Sequence, residues 1–397
     1  MKTTDVAPLL NDTVREDLGL EAVLNEDLSN VVDFGRAVFD NSNTNTDSFC
    51  RALINRIGRT IFVNRTYEGN SLALYRNSFE YGSILQKITL NSIPESEANP
   101  TWDLQDGQSY DPFVFRKPDV SQKFFDEHDD FQVPLSVTDV QLRSAFLTPE
   151  ALSSFVAMLW DGVDKSMALK LEALATRTVT SFISKTFATE FPAVSDNDYS
   201  GMTGVKAINL LYLYNTQFGL TGDDALTPAN CLYNTEFLKF AVKQIDLVIS
   251  RLTKMSALFN IGGKPRFTPR DMQTVIMLSE FKTSADIYLQ SGVFHDIYTK
   301  LPNATEVPYW QGSGTDYSFE STSKVHNEIK VGDTTKEMEI GNVLAVVCDR
   351  DSCGVYQERR NTTSQYNAVG EYTNYFAKYI CGMFADENES FVVFYVQ

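Results

Sequence analysis

The sequence predicts an α+β fold in which one very long helix backs a β-sheet and an α/β unit is inserted before the closing strands. Three patterns predict it. Thr148-Pro149-Glu150 opens a run of apolar residues at three-to-four spacing that lasts to about Phe187. Strand candidates close the chain at Val343–Asp349, Tyr372–Phe384 and Phe391–Val396, the middle one assigned two faces with period two. Ahead of the helix, Thr60 to Asp139 is rich in turn signals and poor in regular elements, and a compact domain rarely carries so long an excursion without a use for it.

Composition bounds what such a fold can do. A chain of 397 residues is long enough for two or three domains, and 43% hydrophobic with 12% aromatic residues can fill a core, which excludes a wholly disordered polypeptide. The longest apolar runs, such as Phe155–Trp160 and Phe391–Val396, fall far short of the ~20 residues a membrane-spanning helix needs. The first residues show no signal-peptide pattern, so a soluble, non-exported protein is expected. Cys50, Cys231, Cys348, Cys353 and Cys381 are scattered and odd in number, as expected of reduced thiols. With 52 acidic against 34 basic residues, the net charge of −18 argues against wrapping nucleic acid. The charge is blockwise. Residues 1–40 hold nine acids and three bases, 51–76 five arginines and one glutamate, and 95–130 ten acids and three bases. Blocks of this kind are solvated faces, or complementary strips on a self-associating subunit.

In chain order, Leu18–Phe39 is partly amphipathic and runs into the polar tract Asp40–Asp47, read as a loop; a short helix over Ser48–Ile57 stops at Gly58. Strands are expected at Thr60–Arg65, Leu85–Leu90, Phe113–Arg116 and Phe131–Val133, with turns at Asn99-Pro100, Asp106-Gly107 and Asp111-Pro112. The long helix follows, opened by a hydroxyl cap, proline at its first position and an acid in its first turn. It would run about 58 Å, twice the span of a small domain. Helices are then expected at Gly204–Phe218, Asn234–Lys254 and Thr283–Thr299, and strands at Asn230–Tyr233, Thr274–Ser279 and Thr305–Tyr309, an α/β unit closing near residue 340. The three terminal strands are placed back against the long helix.

A search for chemistry finds little. Gly262-Gly263-Lys264-Pro265 lacks the remaining residues of a phosphate loop, and Gly312-Ser313-Gly314-Thr315 opens no helix. No Gly-x-Ser-x-Gly elbow or His-Glu-x-x-His is present, and His128, His295 and His326 form no zinc-ligand cluster. Asp126-Glu127-His128-Asp129-Asp130 reads as an exposed hydrophilic loop rather than a cation site. Asp349 and Asp351 follow a hydrophobic strand, where an α/β enzyme could place a metal-assisted acid, but a charged strand-end turn is the simpler reading. Trp102, Trp160 and Trp310 lack basic neighbours for base stacking.

The order of elements, together with short motifs, resembles a known family. The motifs are Phe49-x-x-x-Leu53-Ile54-x-Arg56-Ile57-Gly58, then Arg116-Lys-Pro118-Asp-Val120 ahead of Phe124-Phe125. Thr138-Asp-Val-Gln-Leu142-Arg-Ser-Ala145-Phe146 leads to Ser154-Phe155-Val156, and Ala345-Val-Val-Cys-Asp-Arg-Asp351 and Tyr372-Thr-Asn-Tyr-Phe-Ala-Lys follow. This resembles the major capsid proteins of tailed bacteriophages, the Hong Kong 97-type fold, and within them those of the small short-tailed phi29 group. The resemblance implies an N-terminal arm over residues 1–64, an extended loop over 65–136 that lies on a neighbouring subunit, and a peripheral domain with the long helix over 137–200 and 342–397. An axial domain would cover residues 201–341. It implies a virion shell protein enclosing double-stranded DNA without sequence-specific binding, assembled in the host bacterial cytoplasm from identical subunits in hexamers and pentamers. Scaffolding protein and portal are the further partners implied. No catalytic residue, metal, cofactor or membrane is implied. The contact candidates are Arg51, Arg56, Arg59 and Arg65 of the basic strip, meeting a neighbour's acidic stretch at Asp126, Glu127, Asp129 and Asp130. A tail or connector protein of the same virion is the nearest alternative.

Overall fold

The computed structural model describes residues 6–39, 47–57, 75–76, 85–91, 96–97, 99–113, 115–194, 196–291, 304–311, 316–331 and 334–397. The chain opens with α1 (Val6–Asp12), which continues as a π-helical turn over Thr13–Asp17, then α2 (Val31–Phe39) and α3 (47–57). Helix does not extend over Leu18–Phe39 as expected; it begins only at Val31. Side-chain amides supply the reason, because they satisfy backbone groups that a helix would otherwise use. Asn11 both donates to the Leu24 carbonyl (2.8 Å) and accepts from its N–H (2.6 Å), and Asn30 does the same for Val23 and Asn25. Leu24 and Leu28 still reach the core from this irregular stretch. Of the loop expected over Asp40–Asp47, residue 47 already belongs to α3 and 40–46 lie outside the described residues, as do the helix stop at Gly58, the strand at Thr60–Arg65 and the loop at Gly312–Thr315.

Two short strands follow, β1 (Tyr75–Arg76) and β2 (Leu85–Leu90), then β3 (Val120–Phe125), which pairs antiparallel with β2. The described part of Phe113–Arg116 is exposed and not strand, and among the described residues no strand pairs with it. Phe131–Val133 is the middle of a longer strand, β4 (His128–Thr138). Next come α4 (Asp139–Ala145), held by a reciprocal Thr138–Gln141 capping box, and α5 (Pro149–Glu190). The 42 residues of α5 span about 63 Å. Thr148 Oγ1 accepts from the Ala151 N–H at 3.2 Å, and buried Thr178 and Thr186 return their hydroxyl protons to the Leu174 and Phe182 carbonyls, each at 2.8 Å. Gly162 sits where the helix crosses β4: a Cβ there would meet Leu135 Cδ2 at 3.0 Å.

Beyond it lie β5 (Ala207–Asn209), α6 (Leu210–Phe218), α7 (Thr235–Leu252), β6 (Gln273–Leu278), α8 (Ser279–Ser291), β7 (Thr305–Val307) and the single turn α9 (Phe319–Thr322). Gly204–Phe218 is thus helical only from Leu210, because 207–209 pair with the last strand. Asn230–Tyr233 is a 3₁₀ turn, not a strand. The helix expected at Thr283–Thr299 begins earlier, at Ser279, and residues 292–299 lie outside the described residues. The chain closes with β8 (Val325–Val331), β9 (Thr334–Ile340), β10 (Val343–Asp349), β11 (Cys353–Asn367), β12 (Tyr372–Ala385) and β13 (Phe391–Tyr395).

The strands form two main sheets, ordered β1-β11-β12-β4 and β5-β13-β10-β6-β7, and two ribbons, β2-β3 and β8-β9. This is the mixed helix-and-sheet architecture expected, with one correction of placement. The terminal strands do not all return to α5. β11 and β12 join β4 beneath the helix, whereas β10 and β13 become the interior of the second sheet. Every residue of β10 is buried, so both its faces need cover and only a central position supplies it. The helix still reaches this sheet, with Phe182 stacked on Phe391 at 4.1 Å. Residues 6–57, expected as an arm, pack inward too: Phe39 and Phe49 meet Phe146 edge-on at 5.0 and 5.8 Å.

Candidate functional site

The sites that sequence put forward for chemistry have structural work instead. Asp349 is buried; its Oδ2 accepts from Thr268 Oγ1 and its Oδ1 from the Asp351 N–H, both at 2.8 Å, so it ties the end of β10 into a turn. All five cysteines are buried and free, and burial pushes the thiols of Cys50, Cys231 and Cys381 up to about 12, which leaves them protonated and unreactive. Among the described residues no group of three or more His, Cys, Asp or Glu could hold a metal ion. A recess of about 900 Å³ lies beside Tyr233, Glu280 and Tyr317.

The distinctive surface is instead the β2–β3 ribbon and the loop that joins its strands. Its root is fastened to the body by ions. Lys87 Nζ lies 2.7 Å from Asp386 and 2.8 Å from Glu389, and Lys123 lies 3.8 Å from Asp386. Arg266 donates to the Leu90 carbonyl at 3.1 Å and pairs with Glu389 at 3.7 Å, and Lys264 donates to Asn91 and to Ser121 Oγ. Burial would lower the Lys87 ammonium and raise the Asp386 carboxyl. Their mutual hydrogen bond and charge outweigh it, so Lys87 titrates above and Asp386 below the usual range. For Glu389 burial wins over Lys87, and its carboxyl titrates above the usual range. A small apolar cluster of Leu85, Phe125, Tyr356 and Phe384 closes the root from beneath.

Beyond this root the loop projects its apolar side chains outward. Trp102 is 96% exposed, Phe113 89% and Phe115 85%. Single exposed hydrophobic residues are ordinary, but several large rings on one projecting loop mark a surface meant for a partner. The ion-held root can present that tip in one orientation.

The eight contact candidates fare unevenly. Arg51 pairs with Asp47 at 2.6 Å and donates to Ser364 Oγ on β11. Arg56 pairs with Glu16 at 2.7 Å and Asp17 at 3.1 Å, fastening the first helix to α3 within one subunit. Arg59 and Arg65 lie outside the described residues. Asp129 pairs with Lys170 on α5 at 2.8 Å; the carbonyls of Asp126 and Glu127 meet the His128 ring and the Met383 N–H; Asp130 is exposed. Among the described residues the two groups do not meet in one chain. Sequence reasoning missed the root because Lys87 and Asp386 are some 300 positions apart, with no spacing motif to link them. The exposed aromatics carried a usable signal: large rings inside a turn-rich, acidic stretch.

Known proteins place this architecture. The model of the Phi29-like phage major capsid protein family matches residues 11–395. Among solved structures, the chain is similar to one in the capsid structure of Staphylococcus phage Andhra, at 7% identity over 81% of this chain and 82% of that one, with a TM-score of 0.46. It is similar to one in the capsid structure of the cyanophage P-SCSP1u, at 10% identity over 82% and 86%, with a TM-score of 0.41. No curated protein matches. The family match rather than these distant superpositions decides the assignment, and it makes the protein a capsid shell-forming component of the virion. The chain belongs to the Phi29-like phage major capsid protein family.

Proposed function

We propose that copies of this chain close into an icosahedral shell of hexamers and pentamers around double-stranded DNA, in the cytoplasm of a bacterial host, with scaffolding protein and portal taking part. In this reading residues 65–136 form the extended loop that lies on a neighbouring subunit. Residues 137–200 with β11 and β12 form the peripheral domain and 201–341, with β10 and β13 in their sheet, the axial domain; residues 1–64, packed inward over 6–39 and 47–57, precede both. The observation that carries it is the loop tip: aromatic area held out by an ion-paired root has no partner among the described residues. The net charge of −18 suits a wall that should not grip the packaged genome.

Electron microscopy of the purified protein, with and without its scaffolding protein, tests this directly. Closed shells are the expected product. Rings or tubes would make it a tail or connector component, and a monodisperse monomer under every condition would overturn the reading.

A further inference from the structure

Cys50, Cys231 and Cys381 sit in three separate elements, α3, the 3₁₀ turn before α7 and β12, but Cys348 and Cys353 flank one tight turn. Cys348 lies near the end of β10 and Cys353 opens β11. The Ser352 N–H donates to the Asp349 carbonyl at 3.0 Å, which closes the turn and draws its two flanking residues together. Their thiols share a hydrogen bond, and the buried Ser352 hydroxyl reaches both sulfurs, donating to Cys353 Sγ at 3.7 Å. Both side chains are buried, 0% and 1% exposed. The backbone between them is pinned as well: the Arg350 N–H donates to the Met272 carbonyl at 2.8 Å, and the Asp386 N–H to the Ser352 carbonyl at 2.6 Å.

A disulfide needs its two cysteines close and facing one another, and sulfurs already in contact across a closed turn meet that need. We propose that Cys348 and Cys353 are a redox pair that closes to a disulfide when the protein leaves reducing conditions and meets a low-molecular-weight disulfide. The Cys353 thiolate attacks the small disulfide, which forms a mixed disulfide and releases one small thiolate. The Cys348 thiolate then attacks Cys353 Sγ and expels the second. The two protein sulfurs are oxidised, the small disulfide takes up their two electrons, and the two thiol protons end on the two small thiols released. The bond from Cys353, followed by burial, holds the Cys348 thiol well above its usual range, so the pair stays reduced until the turn opens locally. β10 belongs to the second sheet and β11 to the first, so the new bond fastens a joint between the two sheets. It does so within one subunit, whether or not copies close into shells.

Thiol counting and peptide mapping test it. Protein held with oxidised glutathione in urea below the unfolding transition, then denatured and alkylated, should show three reactive thiols, against five after dithiothreitol. Trypsin cuts after Arg350, between the two cysteines. Without reduction, residues 337–350 and 351–359 should therefore leave as one joined product that separates when reductant is added. The oxidised subunit should melt about 2 °C or more above the reduced one, and C348S with C353S should lose that difference. If this double variant fails to fold, C353A replaces it with the same expectation. Five thiols after prolonged exposure, glutathione left on either cysteine, or a bond to Cys50, Cys231 or Cys381 instead overturns the proposal. A closed pair that melts no higher than the reduced protein overturns the fastening of the joint.

Discussion

At the scale of single residues, Lys87 ties the loop root to the body. It neutralises Asp386, which is almost wholly buried, and Glu389, which is nearly so. Removing one partner of a buried pair leaves uncompensated charge, so Lys87→Met should cost about 3 kcal/mol at pH 7 by urea denaturation. The pH dependence has a definite sign. Without Lys87 both carboxyls titrate higher in the folded state than in the unfolded one, so protonation relieves them. The deficit should be largest at neutral pH and shrink as pH falls below about 5. In the wild type the pairs fail in order. Glu389, raised above its usual 4.5, takes its proton first on acidification. Asp386, held below 3.8, contributes stability above that value and loses it only as pH falls through its depressed pKa. The root should therefore survive mild acid; release of the ribbon at pH 5, read by hydrogen exchange of β2, would contradict this. Asp349 gives a second test: with two donors left unpaired, Asp349→Ala should cost about 1–3 kcal/mol.

At the scale of elements, the long helix shows local and tertiary rules meeting at one glycine. Alanine at Gly162 would gain about 1 kcal/mol of helix propensity. Its Cβ would also press on Leu135 at 3.0 Å, where β4 passes beneath. The expected outcome is near neutrality in thermal melts, and a full 1 kcal/mol of stabilisation would show that Leu135 moves freely. Elements were legible where the pattern is local. The cap at Thr148, the apolar stripe of α5 and the bounds of β2 and β10 all follow from a few neighbouring residues. β11 was not legible: Gln357-Glu-Arg-Arg-Asn-Thr-Thr-Ser carries no apolar alternation, and it is a strand because it lies between β1 and β12. β8 and β9 were missed for a related reason, since their few buried residues, Val325, Ile329, Met338 and Ile340, matter only once they face the core.

At the scale of the whole molecule, subunit stability and shell stability should separate. Replacing Trp102 and Phe113 together by serine touches almost fully exposed rings, so the unfolding midpoint of the subunit should move by less than about 0.5 kcal/mol equivalent. The same double variant should fail to give closed shells in electron micrographs. Loss of subunit stability in step with assembly would mean the rings serve the monomer. The sequence suggested outstretched pieces at both the N-terminus and the loop. Among the described residues of these two pieces the loop tip projects, whereas the N-terminal helices and the turn after α1 bury Val14, Phe34, Phe49 and Leu53 in the subunit's own core.

Sequence by itself determined the mixed fold, the long helix, the family resemblance and the acidic, aromatic character of the loop, because each is written in neighbouring residues or in the order of elements. Tertiary structure alone decided that β10 and β13 belong to the second sheet, that Arg56 spends its charge within its subunit, and that Lys87 fastens the loop root. Those outcomes depend on pairing partners tens to hundreds of positions apart, and a charge or a strand edge acquires a partner only when the chain has closed around it.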